Sequence, residues 1–374
     1  MKIAVNTRFL LPDQLEGYGY FIHESFRRIT QGHPEHEFIF IFDRPYHSKF
    51  IYSENITPVI VTPATRHPLL WKWWFDIKIP SVLKKYGADV FVSPDGFCSL
   101  NTEVPQCVVV HDLSFLHYPS FIKKSHLLFY KHFTGKFLAK AKSIATVSGF
   151  SKKDIIDHYE ISENKIDVVF SAAKDIFKPV SPGIKEEIKK QYTEGKEFFL
   201  HTGAIHPRKN LENLLKAFSI FKKRQQSSYK LVLAGRLAWK YESFIGKLKT
   251  YKFRNDVVFL NYINEYVLAK LTASAYAMVY PSFFEGFGVP VLEAMQCGVP
   301  VITSSDSSMQ EIAGDSALYV NPVNFLELAE AMMRLYKDET LRSTLIQKAT
   351  PVALQYTWDN TARLLWQSIQ KTLV

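Results

Sequence analysis

The strongest constraint on this chain is a rhythm of short apolar runs separated by helical patterns, broken once and then resumed. The runs Met1–Asn6, Phe38–Phe42, Val59–Val61, Val90–Val92, Val108–Val110 and Ile144–Val147 are strand-length and mostly β-branched or aromatic. Amphipathic stretches such as Tyr20–Ile29 lie between them. Strands alternating with helices predict a parallel α/β sheet. The segment Asp167–Pro182 then carries two prolines and leads into a charged helix expected at Ile184–Gln191. Beyond it the alternation restarts at Phe198–His201 and continues with Lys230–Leu233, Val257–Leu260, Ala277–Tyr280 and Val299–Thr303. Asn210 stands where the cap of the next helix is expected, with that helix running to Lys223. Helices are also expected at Leu326–Tyr336, Glu339–Ala349 and Asp359–Lys371. The fold class is therefore α/β, with two Rossmann-like doubly wound domains at 1–178 and 179–356, followed by a helix in 357–374.

Composition supports two cores. The chain has 374 residues and 47% hydrophobic content, more than one core organises. With 14% aromatic and 22% charged residues it is not a disordered chain. The start, MKIAVNTRFL, is interrupted by Asn6 and Arg8 and does not read as a secretion signal. No apolar run reaches the length that spans a bilayer. Cys98, Cys107 and Cys297 have no metal-ligand spacing, and a cytoplasmic protein is expected. A net charge of +10 suits a phosphorylated ligand or an anionic membrane. Nucleic acid is not expected, because no helix-turn-helix, zinc-finger or RNP-like pattern accompanies the charge.

Ligands of doubly wound sheets gather at the carboxyl ends of strands, so the residues after each strand matter most. After Tyr280 comes Pro281-Ser-Phe-Phe-Glu285-Gly286-Phe287-Gly288-Val289-Pro290-Val-Leu-Glu293. Gly286 and Gly288 permit close backbone approach, and Pro290 suits the first position of a helix. Unpaired N–H groups at such a helix start can hold a diphosphate. Glu293, expected in the first turn, can accept from ribose hydroxyls, and Glu285 from a sugar. The plainer account is a carboxylate favouring the helix dipole beside a solvated loop Glu. After His201 comes Gly203, then His206-Pro-Arg208-Lys209. Arg208 and Lys209 can stabilise a departing diphosphate, or can be a solvated charged turn.

These segments resemble the E-x7-E signature and the phosphate-binding basic pair of retaining GT-B glycosyltransferases, family 4. The likeness runs through E-G-F-G-V-P-V-L-E-A-M-Q-C-G-V-P-V-I to Gln310-Glu311 and Gly314-Asp315, and is weakest between residues 30 and 85. It implies two domains facing across a cleft, with the C-terminal helix packing back on the first. It implies Glu285 at the transferred sugar, Glu293 at the ribose and Arg208 with Lys209 at the diphosphate. Many members carry Arg directly after the glycine; here that position is Ala204, and Arg208 is expected to take over. The resemblance puts the donor base against Tyr262 and Ile263, with Gly235-Arg236 nearby. It also implies that the loop Gly17-Tyr18-Gly19 closes over the donor, although Glu16 replaces a further glycine. By itself Gly17 to Gly19 is a poor dinucleotide fingerprint, because Ile22 occupies the third glycine position. The pair His111-Asp112 matches the family's His-Asp, with His111 near the reactive carbon. In Thr146-Val-Ser148-Gly-Phe-Ser151-Lys152, Ser151 is expected to cap a helix and Ser148 to approach the site.

The implied function is retaining transfer of a hexose from GDP-mannose or a UDP-sugar to a glycan or lipid-linked acceptor in cell-envelope polysaccharide synthesis. No D-x-D occurs, so no catalytic metal and no cofactor is expected. A nucleotide-sugar epimerase or phosphorylase of the same fold is the alternative reading, as is a non-catalytic partner protein. Phe121 to Ser143 holds six lysines and no carboxylate, interleaved with aromatics, and Trp71, Trp73 and Trp74 lie upstream. That face is either a core-packed helix with solvated lysines or a peripheral contact with anionic membrane.

Overall fold

The computed structural model describes residues 1–12, 15–65 and 67–373. They divide into two compact units, 1–171 with 357–374, and 172–356.

The first unit has seven strands, the first six of them from the apolar runs: β1 (Lys2–Asn6), β2 (Glu37–Phe42), β3 (Ile56–Ile60), β4 (Val90–Ser93), β5 (Gln106–Val110), β6 (Ser143–Thr146) and β7 (Ile166–Val168). They pair in parallel in the order β3-β2-β1-β4-β5-β6-β7. The chain reverses its direction of winding between β1 and β4. Both faces are covered, so the inner strands are buried nearly throughout, as runs of Val, Ile and Phe require, while the edge strands β3 and β7 are partly exposed. The helix Trp358–Lys371 belongs to this unit. It packs on the helix Gly17–Gly32 and on β6, burying Leu365, Trp366 and Ile369. Ser143 Oγ donates to Ser368 O at 3.2 Å, and Lys371 reaches Asp167 at 2.7 Å.

The second unit has six parallel strands: β8 (Phe198–Thr202), β9 (Lys230–Ala234), β10 (Val257–Leu260), β11 (Ala277–Tyr280), β12 (Val301–Ser304) and β13 (Ala317–Val320). Their order is β10-β9-β8-β11-β12-β13, with the switch point between β8 and β11. The short β7 and β13 are not among the expected runs: Asp167 interrupts β7, and β13 is an apolar run of only four residues, ALYV.

Three local expectations are corrected. Gly17-Tyr18-Gly19 is not a loop: the helix starts at Gly17, and Gly19 is needed because a Cβ there would collide with Phe9 O. Asn210 occupies the cap position but does not cap. It is left-handed (φ +60°), and its Nδ2 donates to Pro281 O at 3.0 Å and Pro322 O at 2.6 Å. A tertiary tie has overridden the local signal there. Ser148, rather than Ser151, caps the helix Gly149–Tyr159 by accepting from Ser151 N at 3.0 Å. Ser151, inside the helix, donates instead to His111 O at 3.3 Å.

Candidate active site

The site in the second unit grows from its switch point. β8 ends at Thr202, and the chain passes through Gly203 (φ +122°), whose N–H donates to Ala234 O at 2.9 Å. A Cβ on Gly235 would collide with the Gly203 carbonyl, so this crossing of two backbones needs glycine. A single turn, Pro207–Lys209, follows; its N-terminal His206 side chain accepts from Arg208 N at 3.2 Å. That turn aims the basic pair at the loop leaving β11. Arg208 Nη1 donates to Phe284 O at 2.6 Å and to Glu285 Oε2 at 2.9 Å. Lys209 Nζ donates to Glu285 Oε1 at 2.6 Å and to the Tyr280 hydroxyl, lying 4.8 Å from that ring's centre. Phe283 N donates to Arg208 O at 2.9 Å, joining the two loops through backbone.

Glu285 is buried, and burial alone would raise its pKa. Arg208 and Lys209 outweigh burial and hold the carboxyl at about 2. It is a fixed anion that holds two cations in place. Tyr280 completes the cluster: burial, and then the Glu285 charge, push its hydroxyl well above the usual range. It therefore stays protonated and donates to Glu285 Oε1 at 3.2 Å while accepting from Lys209. Ser308 Oγ braces the loop from below, reaching Glu285 O at 2.8 Å and Phe287 O at 3.0 Å.

Gly288 then turns left-handed (φ +99°) against Met309, and the helix Val289–Gln296 begins. Gly286, Phe287, Gly288 and Val289 thus form the lead into a helix N-terminus, with Pro290 at its second residue. Glu293 is corrected here: with the helix starting at Val289, it falls in the second turn. Its environment is the opposite of Glu285's. Burial pushes its carboxyl up to about 8, with Lys174 opposing. Among the described residues its carboxylate has no hydrogen-bond or ion-pair partner. Tyr262 and Ile263 lie after β10, with the Tyr262 ring exposed.

The sequence reading missed Tyr280, Ser308 and His201. Tyr280 and His201 sit at strand ends and were open to the same logic, whereas nothing local marks Ser308. His201 stacks on Tyr280 with ring centres 5.4 Å apart. Its Nδ1 donates to Val279 O at 3.0 Å, its Nε2 is buried without a partner, and burial pushes it down to about 4.

In the first unit, His111 follows β5 and packs against Phe21 and Tyr18 with ring centres 5.0 and 4.5 Å away. Its Nε2 lies 3.1 Å from Pro94 O, an acceptor, so that nitrogen carries the proton and Nδ1 is left as an acceptor. Burial pushes the imidazole down to about 4, so it is neutral. Asp112 accepts from Ser114 N at 2.9 Å and orients backbone. The sequence reading also missed a buried ion pair at this unit's switch point. Arg8 Nε donates to Asp95 Oδ2 at 2.6 Å, and Asn6 Nδ2 to the same oxygen at 2.7 Å. The Arg8 guanidinium lies within 6 Å of the ring centres of Phe9, Trp71, Phe75 and Phe97.

Two doubly wound parallel units define the GT-B class of glycosyltransferase. The chain belongs to glycosyltransferase family 4: residues 29–172 match the model "Glycosyltransferase Family 4" and residues 184–351 match "Glycosyl transferases group 1". It is 31% identical over 292 residues to the O-antigen chain mannosyltransferase RfbU of Salmonella typhimurium, covering 74% of each chain. It is 30% identical over 251 residues to O-antigen chain mannosyltransferase B of Escherichia coli, covering 67% of this chain and 66% of that one. Among solved structures, its fold is similar to WaaG, a glycosyltransferase involved in lipopolysaccharide biosynthesis (TM-score 0.77, 16% identity, 98% and 99% covered). It is similar also to Anabaena HepE in complex with UDP and glucose (TM-score 0.73, 16% identity, 99% of each covered).

Proposed function

We propose that the chain is a retaining hexosyltransferase using a nucleotide-diphosphate sugar, GDP-mannose before a UDP-sugar. The acceptor is a glycan or lipid-linked glycan of cell-envelope polysaccharide. The carrying observation is the cluster of Arg208, Lys209 and Glu285: two cations fixed by a buried anion beside a glycine-lined helix start. Cations already held in place stabilise a departing diphosphate without reorganising during the reaction. The mannosyltransferase names of the two relatives favour the hexose and the polysaccharide setting.

In this reading the donor's C1–O bond to phosphate breaks and the acceptor oxygen bonds C1 on the same face. The departing phosphate oxygen takes the acceptor's proton, so no protein nucleophile and no metal ion is required. Arg208 and Lys209, with the backbone of Gly203 and Gly286 to Val289, hold the diphosphate. Glu285 orients the cations and contacts the sugar, Glu293 binds the ribose, and Tyr262 and Ile263 flank the base. A carboxyl with a pKa near 8 can donate to a ribose hydroxyl as well as accept from it. Gly17 and Gly19 on the donor side and His111 at the reactive carbon complete the assignment.

A thermal-shift screen against GDP-mannose, UDP-glucose, UDP-galactose and ADP-glucose tests the donor, because binding raises the melting temperature. GDP-mannose should give the largest rise, and no rise with any of them would remove the reading. Anomeric analysis of the product tests retention. Turnover of donor without acceptor to an epimer would point to the epimerase reading.

We also propose peripheral contact with anionic membrane. Its support is local: Leu69 (76% exposed) and Leu128 (70%) stand out beside Lys72, Lys124 and Lys131, while Trp71 and Trp74 are core. Among the described residues no helix is long and apolar enough to cross a membrane. Flotation with vesicles that does not increase with anionic lipid would exclude the contact.

A further inference from the structure

The short helix after β5 and the longer helix after β6 bring together three metal-ligating side chains that the transfer reaction does not use. His117 ends the helix Ser114–His117, while Asp154 and His158 lie one turn apart on the helix Gly149–Tyr159. His117 Nε2 is 2.8 Å and His158 Nδ1 3.1 Å from the same oxygen, Asp154 Oδ1. Each residue offers one ligand atom, and the three atoms lie within 4.8 Å of one another. Metal–nitrogen bonds of about 2.0–2.1 Å in a tetrahedron put ligand atoms roughly 3.3 Å apart, so small side-chain movements bring these three into range.

A second observation points to a missing partner. Asp154 is only 7% exposed, and its Oδ2 is buried with no hydrogen-bond partner. His117 Nε2 meets Oδ1, His158 Nδ1 donates to the Asp154 carbonyl at 3.0 Å and leaves its Nε2 as the free acceptor, and the other carboxylate oxygen stays unsatisfied, an arrangement that costs free energy unless something completes it. The two imidazoles are on the surface, so a cation can reach the group from solvent. Thiolates do not compete: Cys98, Cys107 and Cys297 are all buried, and burial pushes the Cys98 thiol up to about 12.

We propose that His117, Asp154 and His158 bind a borderline divalent first-row cation of the Zn2+ class, with solvent filling the open positions. Two imidazoles and a carboxylate are the donor set such ions select over Mg2+ or Ca2+. The site is a positioning site. It ties the segment that begins at His111 and Asp112 to the helix whose Ser151 donates to the His111 carbonyl, fixing His111 from both sides. It lies in the first unit, uses none of the residues assigned to the donor, and does not depend on the donor reading.

The test uses the full chain, stripped with chelator and titrated with Co2+ and then Zn2+. Co2+ should develop a visible ligand-field absorption that Zn2+ displaces, and Zn2+ should raise the melting temperature. His117→Gln and His158→Gln should each weaken binding by about tenfold or more and remove the absorption. Glutamine can still donate to Asp154, and both positions are exposed, so these variants keep the fold. His36→Gln tests the competing group of His33, Glu35 and His36, whose ligand atoms also lie within 4.8 Å of one another; absorption lost in that variant and kept in the His117 and His158 variants would place the metal there and overturn the proposal. Absorption and melting shift that survive in both the His117 and His158 variants would overturn the site, as would a wild-type chain that shows neither.

Discussion

At the switch point of the first sheet, Arg8 pairs with Asp95 inside a box of aromatic rings. At the switch point of the second, Arg208 and Lys209 pair with Glu285 beside glycine backbone and a helix start. The topological position is the same: β1 against β4, and β8 against β11. In both, a cation after the first strand meets a carboxylate after the fourth, and the surroundings decide what the pair does. Rings enclose Arg8, and Asn6 and Thr65 take up further hydrogen bonds, so that pair is built into the core. Around Arg208 and Lys209 the partners are Glu285, the Tyr280 hydroxyl and the Phe284 carbonyl, and Gly203 leaves open backbone beside Lys209. The same kind of ion pair is walled by rings in one unit and stands beside glycine backbone and a helix start in the other.

The largest expected effect tests the core pair. Arg8→Met leaves Asp95 buried and uncompensated and should cost about 3–5 kcal/mol by urea denaturation. Donor affinity of the protein that remains folded should not change; a stable variant that lost donor binding would break the comparison. Lys209→Ala should instead lower kcat by about 10²–10³-fold; Glu285 keeps Arg208, so the chain should still fold, with a melting temperature below wild type. Full activity in that variant would remove the phosphate-clamp argument.

The two glutamates of the signature should respond to pH in opposite senses. Glu285 has a folded pKa of about 2, below its unfolded value, so its stabilisation is present above about pH 4.5 and is lost as pH falls toward 2. Glu293 has a folded pKa of about 8, above its unfolded value, so a penalty develops as pH rises from about 4.5 to 8. Glu293→Gln should therefore raise stability at pH 8 by on the order of 1–3 kcal/mol and change it little at pH 4. Glu285→Gln should lower stability at pH 7. Equal effects of the two substitutions across the range would show that their environments do not differ as described.

The smallest effect concerns the start of the first-unit helix at Gly17. A Cβ at Gly17 meets nothing within 4 Å, whereas one at Gly19 collides with Phe9 O. Gly17→Ala should leave the melting temperature within a few degrees of wild type, a change of roughly 0.5 kcal/mol or less. A fall in donor affinity at unchanged stability would place a ligand against that backbone. Unchanged affinity would make Gly17 an ordinary helix start.

Much of this molecule was legible in one dimension. The continuous apolar runs are set by burial on both faces of a parallel sheet, and they placed eleven of the thirteen strands. The stretch from Glu285 to Glu293 and the pair Arg208 and Lys209 could be picked out because spacing and residue type act locally: a glycine turn, a proline at a helix start, two adjacent cations. Local reasoning failed wherever a distant partner set the conformation. Asn210 gave up capping for two carbonyls more than 70 residues away. Glu293 falls in the second turn because Gly288 is left-handed, so the helix begins only at Val289.

The sequence by itself therefore determined the α/β class, the restart of the fold after Pro182 and the chemistry available after β8 and β11. Only the tertiary structure decided that Glu285 is clamped between two cations while Glu293 stands unpartnered, because charge state depends on neighbours in space. It alone brought His117 to Asp154 and His158, and Arg8 to Asp95, across gaps of 37 and 87 residues. Residue type fixes what a side chain can do, and packing fixes which neighbours it does it with.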